Sequence, residues 1–193
     1  MYPQKHTILF TGHMIDKPGR PAPRFPASEE SMAKETILEK LEQIIRNDPK
    51  SFSGIAGGAC GGDILFHESA AELHITTEMF LLFPKEQFIQ ESVSFAGRNW
   101  VDRFHALSNQ LPVHLLPTTD AFPGDTNEFS IWERSNRWML HHALQNGGAY
   151  MSLLALWNGK TGDGTGGTAH MANSVKQVGG NVIIIDTHSI FQL

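Results

Sequence analysis

The chain has 193 residues, 18% of them charged and 40% hydrophobic, with a formal net charge of −5. That length suits one well-cored domain and is short for two, so residues 1–193 are read as one domain. The acidic balance argues against a general nucleic-acid or anionic-membrane binder, because such proteins carry a basic stripe.

A single cysteine, Cys60, excludes an intramolecular disulfide and suits a reducing compartment. Lys5 and His6 before the short apolar run Ile8–Phe10 do not make a signal peptide. No apolar run approaches the roughly 20 residues of a membrane-spanning helix. The expectation is a cytoplasmic protein with no membrane partner.

Thr7–Thr11 is a β-favouring run that predicts a buried first strand ending at Gly12. Pro18, Pro21, Pro23 and Pro26 exclude regular structure from residue 12 to 27, so a long loop follows that strand. Ser28 is the expected cap of a helix whose apolar residues Ile37, Leu41, Ile44 and Ile45 recur at helical spacing. Phe52–Ala56 predicts a second strand, Cys60–Leu73 a helix, and Thr76–Phe83 a third strand stopped by Pro84. Residues 85–109 read as helical with a break near Gly97, and Val113–Leu116 as a short strand. A helix is expected over Glu128–Gln145, capped by Asp125 or Thr126. Ala149–Leu156 is apolar enough for burial on both faces. A helix from about Thr168 and a strand at Val182–Ile185 complete the pattern. Strands alternating with helices imply an α/β fold: a doubly wound, Rossmann-like, mostly parallel sheet with helices on both faces.

Ligands in such sheets bind beyond the carboxyl ends of the strands, near the point where strand order reverses. The loops there are Gly12–His13, Gly57–Asp63, Phe83–Pro84 and Trp157–Thr168. Two are glycine-rich turns between a strand and a helix, a grammar that lets backbone N–H groups and a helix dipole face an anion. Asp163, Gly164, Gly166, Gly167 and Thr168 are the expected phosphate-side residues, with the Thr168 hydroxyl both cap and contact. Gly57, Gly58, Cys60, Gly61 and Asp63 form the second turn, with Asp63 facing ribose hydroxyls or simply the helix dipole. Either Arg134 or Arg137 is expected to reach the phosphate, although Glu133 and Arg137 are also spaced as an exposed ion pair. Cys60 reads more readily as a small residue in a tight turn than as an activated thiolate. His13 is a ligand contact or a packed histidine on equal terms. The ten histidines form no metal-binding motif. The aromatics Phe88, Phe95, Trp100, Phe104, Trp132 and Trp138 read as core, with room for one to stack on a base.

The order Gly57-Gly58-Ala59-Cys60-Gly61-Gly62-Asp63, then Glu133-Arg134-Ser135-Asn136-Arg137, then Asp163-Gly164-Thr165-Gly166-Gly167-Thr168 resembles the Rossmann-like SLOG superfamily. That superfamily includes the Lonely Guy phosphoribohydrolases, the DNA-processing protein DprA and sensor domains for nucleotide-derived signals. Phe10–Asp16 and Trp157-Asn158-Gly159 are similar to the subgroup found in bacterial signalling and conflict systems. The resemblance implies a nucleotide or nucleotide-derived ligand and a homo-oligomer paired through surface helices, for which the aromatics of residues 85–109 would suit. Lonely Guy enzymes carry Pro-Gly-Gly-x-Gly-Thr-x-x-Glu; here Met171 stands at the glutamate, Asp163 at the proline and Thr165 at the second glycine. Methionine moves no proton. The resemblance therefore implies a sensor, with N-glycosidic hydrolysis as the alternative. Asp16, Asp63, Glu128 or Asp163 would supply the missing carboxylate, and Arg134 or Arg137 the family's catalytic arginine. A DNA-processing role like that of DprA would need a contiguous basic face.

Overall fold

The structure, a computed structural model, describes residues 5–46, 51–126, 128–160 and 167–192. Six strands form one sheet: β1 (His6–Gly12), β2 (Phe52–Ala56), β3 (Thr76–Leu81), β4 (Val113–Leu115), β5 (Met151–Trp157) and β6 (Asn181–Asp186). Their spatial order is β4-β3-β2-β1-β5-β6, and every pairing is parallel. The sequence leads one to expect a mostly parallel sheet. Between its strands run α1 (Glu30–Arg46), α2 (Gly62–Glu72), α3 (Lys85–Ser92), α4 (Arg98–Gln110), α5 (Ile131–Ala143) and α6 (Thr168–Gln177). A short α7 (Thr187–Phe191), which the strand-and-helix pattern does not suggest, closes the described chain.

Successive residues of a strand face opposite sides of a sheet, and β3 shows what covers each side. Phe80 meets Trp138 of α5 with ring centroids 4.6 Å apart. Met79 and Leu81 point the other way, into the space where Gly58 and Phe104 of α4 meet. On that same side Phe10 of β1 stacks on Phe66 of α2 at 4.8 Å. Helices therefore cover both faces. β1 and β5, each flanked by strands on both sides, are almost wholly buried, as expected for strands covered twice.

Several element starts differ from expectation for identifiable reasons. Ser28 caps nothing: it lies in a 3₁₀ turn, Ala27–Glu29, and its hydroxyl donates to Glu29 instead. The long helix after β4 begins at Ile131 and not Glu128, because Ser130 accepts from the Glu133 N–H at 3.2 Å. Ser130-x-x-Glu133 is the capping pattern that wins. Thr126 and Asp125 are used one turn earlier, accepting from the N–H groups of Glu128 and Ala121. Gly97, at φ +105°, makes the expected break between α3 and α4. Phe88, Trp100 and Phe104 of that region are buried against the core, and Phe95 is half-buried.

Candidate functional site

The chain lays β1 to β4 outward in one direction, then crosses back through α5 to place β5 on the free side of β1. The strand order reverses between β1 and β5, with Gly12 opposite Leu156. A crevice of about 740 Å³ opens there, beyond the carboxyl ends of the strands. Its wall draws on the ends of β1 (Thr11, Gly12, His13), β2 (Gly57, Ala59, Asp63), β3 (Phe80, Leu82) and β5 (Trp157, Lys160), as well as the first turns of α5 and α6.

His13 joins the two sides of the reversal. Its backbone N–H donates to the Leu156 carbonyl at 3.0 Å, and its Nε2 accepts from the Asn158 N–H at 3.2 Å. An accepting Nε2 carries no proton, so the ring is neutral with hydrogen on Nδ1. The same residue's carbonyl accepts from Gly62 N–H at 3.1 Å. Both glycine-rich strand ends are thus tied to one residue.

Asp63 is the acidic group among the described residues of the crevice wall. It accepts from Ala59 N–H at 3.2 Å, and burial pushes its carboxyl up to about 7 despite that hydrogen bond. Gly57 is bare to admit it, since a Cβ there would stand 2.5 Å from Asp63 Oδ2. One turn on, His67 donates from Nε2 to the Gly57 carbonyl at 2.9 Å and accepts through Nδ1 from the Thr77 hydroxyl at 2.8 Å. Burial lowers its pKa to about 4 and holds it neutral. His67 is thus a support for the Gly57 turn.

The other predicted residues of that turn do different work. Gly58 is buried, and a Cβ would press on Phe104 at 2.8 Å. Gly61, at φ +100°, passes within contact of the 13–15 backbone, where its Cβ would lie 2.8 Å from Ile15 N. Cys60 is fully buried and burial pushes its thiol up to about 12, so it is no thiolate nucleophile. None of these three is among the residues lining the crevice.

Of the other glycine-rich turn, Gly167 and Thr168 line the crevice, while Asp163, Gly164 and Gly166 lie outside the described residues. Gly167 is the N-cap of α6, with no side-chain cap, so Thr168 does not cap the helix as expected. Met171 N–H bonds the Gly167 carbonyl at 3.1 Å and opens the helix ladder. The preceding N–H groups, of Thr168, Ala169 and His170, have no intrahelical acceptor.

Neither predicted arginine is part of the wall. Arg134 forks onto Asp125 at 2.7 and 2.6 Å and donates to the Pro117 carbonyl at 3.1 Å, pinning the 117–125 loop to α5. That guanidinium holds the Asp125 carboxyl down at about 2. Arg137 pairs with Glu133 at 2.9 Å and lies over the Phe129 ring. The predicted Glu133–Arg137 pair exists, but Glu133 is buried, not exposed.

The cations of the wall are Lys160 and Arg24, which residue spacing does not single out. Arg24 arrives through Asp16, whose Oδ2 accepts from the N–H groups of Arg24 and Phe25 at 2.8 and 2.9 Å. Those bonds fold the proline-rich loop back on itself and seat Phe25 against Phe191. Asp16 is therefore a loop organiser, and Glu128 is exposed; neither lines the crevice. Met171 is buried, 2% exposed, and also off the wall. Among the described residues, no group of three or more His, Cys, Asp or Glu side chains could hold a metal ion. No helix of the described residues is long and apolar enough to cross a membrane.

Comparison with protein-family models, characterised proteins and solved structures gives no match to this chain.

Proposed function

We propose that this chain binds a nucleotide or nucleotide-derived ligand as a sensor, in keeping with its resemblance to the SLOG superfamily. The observation that carries the reading is the crevice at the strand-order reversal, where the uncapped first turn of α6 shares a wall with Arg24 and Lys160. N–H groups with no acceptor among the described residues, a helix dipole and two cations on the same wall together suit a phosphate. The remaining wall is apolar enough for a nucleoside. Thermal unfolding with nucleoside monophosphates, ADP-ribose and NAD tests this. A ligand at a hundred times its Kd stabilises by about 2.7 kcal/mol, and raises the midpoint by roughly 5–11 °C for a chain of this size. No shift from any of them overturns the proposal.

A second reading, N-glycosidic hydrolysis, is favoured by Asp63 alone. Of the described carboxylates proposed from sequence, only Asp63 lines the crevice, and a pKa of about 7 suits a general acid or base. Chromatography of the same mixtures decides between the two: intact ligand supports the sensor, and free base supports the hydrolase.

A further inference from the structure

The crevice is not uniform along its length. At the β5 end its wall includes the polar Lys160, Thr168, His170 and Asn173 beside Trp157. At the β3 end it is mostly apolar or aromatic, with Phe80, Leu82, Phe88, Met139 and Trp132 beside Ser92 and Ser130. In the sheet the order between these ends is β5-β1-β2-β3, three strand spacings, or roughly 14 Å. Gly57 and Asp63, at the end of β2, lie between.

Trp132 stands apart from the other aromatics there. Phe80 and Phe88 are buried, whereas Trp132 is 49% exposed. Its ring meets Phe83 nearly at right angles, 86°, at 6.3 Å, a contact that positions the indole without covering it. Its backbone is equally fixed, because it sits in the first turn of α5 between the Ser130 cap and Glu133, which is held by Arg137. A large indole with a fixed backbone, half-exposed at the rim of a mostly apolar recess, offers a face that a second ring can cover.

We infer that Trp132 is the stacking platform for the aromatic base of the ligand, which lies across the strand ends with phosphate at α6, ribose over Gly57 and Asp63, and base between Trp132 and the β3 end. This rests on the nucleotide reading and adds to it the direction in which the ligand lies and the residue that grips its base. Stacking grips any base by its π-face, so platform strength is tolerant of base identity.

The test is calorimetric titration of wild type, Trp132→Ala and Trp132→Phe with AMP, GMP, CMP and UMP, and with ribose 5-phosphate as the base-free control. For the tightest-binding monophosphate, Trp132→Ala is expected to weaken affinity by roughly 5- to 150-fold. Trp132→Phe falls between, and ribose 5-phosphate affinity stays unchanged in all three proteins. Indole emission of wild type should be quenched by the monophosphate, and in both variants that quench should shrink to what Trp157, on the same wall, contributes. The unliganded unfolding midpoint, measured alongside, should not move, since the side chain is exposed. If Trp132→Ala leaves monophosphate affinity intact, or weakens ribose 5-phosphate equally, the stacking assignment is wrong while nucleotide binding stands. If wild type binds no monophosphate, both fall together.

Discussion

Replacing Asp63 by asparagine isolates the one titrating carboxyl among the described residues of the crevice wall. Its pKa rises from 3.8 to about 7 because burial penalises the charged form. The folded state therefore holds a proton that the unfolded chain has released between pH 3.8 and about 7, and stability falls as pH rises through that window. About three pH units at about 1.36 kcal/mol each give ~4 kcal/mol. This is an upper limit, since the carboxyl borders an open crevice and water there softens the penalty. The amide of the Asp63→Asn variant keeps an acceptor for the Ala59 N–H and carries no charge at any pH. Urea unfolding of the two proteins, followed by circular dichroism, should therefore give curves that agree near pH 4 and separate steadily above it. By about pH 8 the variant should be the more stable by about 2–4 kcal/mol. Subtracting the two proteins removes every other titrating group. A difference that stays constant with pH would refute the raised pKa, and with it the case for Asp63 as a general acid.

His67 makes the opposite prediction on the same helix. Its pKa falls from 6.5 to about 4, so its contribution is present above 6.5 and lost as pH falls towards 4; His67→Gln should remove an acid-side loss of about 3 kcal/mol, read from urea unfolding across that range. Arg134→Met should leave the Asp125 carboxylate, 3% exposed, without its partner. The expected cost is about 3 kcal/mol, or roughly 6–12 °C in thermal unfolding, with any ligand-induced shift retained because Arg134 is off the crevice wall.

The sheet was legible in the sequence because doubly buried strands need largely apolar, β-favouring runs, and Thr7–Thr11 and Ala149–Leu156 are such runs. The meeting of loops from several strand ends at one crevice followed from alternation of strands and helices alone, although Phe83–Pro84, expected among them, do not line it. Which side chains those loops deliver was less legible, because that depends on tertiary hydrogen bonds. Arg24 reaches the crevice only because Asp16 folds the loop before it. Arg134 does not reach it because Asp125, nine positions earlier, claims the guanidinium. Both acids look alike as sequence, and local pattern suggests for each a role at the ligand or a helix start where the fold assigns another. Trp132 and Trp138, six apart on one helix, differ in the same way: one stands half in solvent, the other packs on Phe80.

The two glycine-rich turns, alike in grammar, show how far that grammar reaches. A helix start can bind an anion only if its N–H groups are left for one. At α2 two of them are taken up by the protein: Gly62 donates to the His13 carbonyl and Ile64 to Ala59, while the Asp63 carboxyl occupies the space that bare Gly57 leaves. Its glycines exist to let the chain pack on itself, against Phe104 and against the 13–15 backbone. At α6 the cap is a glycine with no side chain to offer, and the first turn faces the crevice. An anion at α2 would also meet the Asp63 carboxyl, which becomes charged above about 7, whereas one at α6 would meet Lys160. Charge and hydrogen-bond supply thus select the same end of the crevice for phosphate, leaving the turn beneath Asp63 for neutral hydroxyl groups.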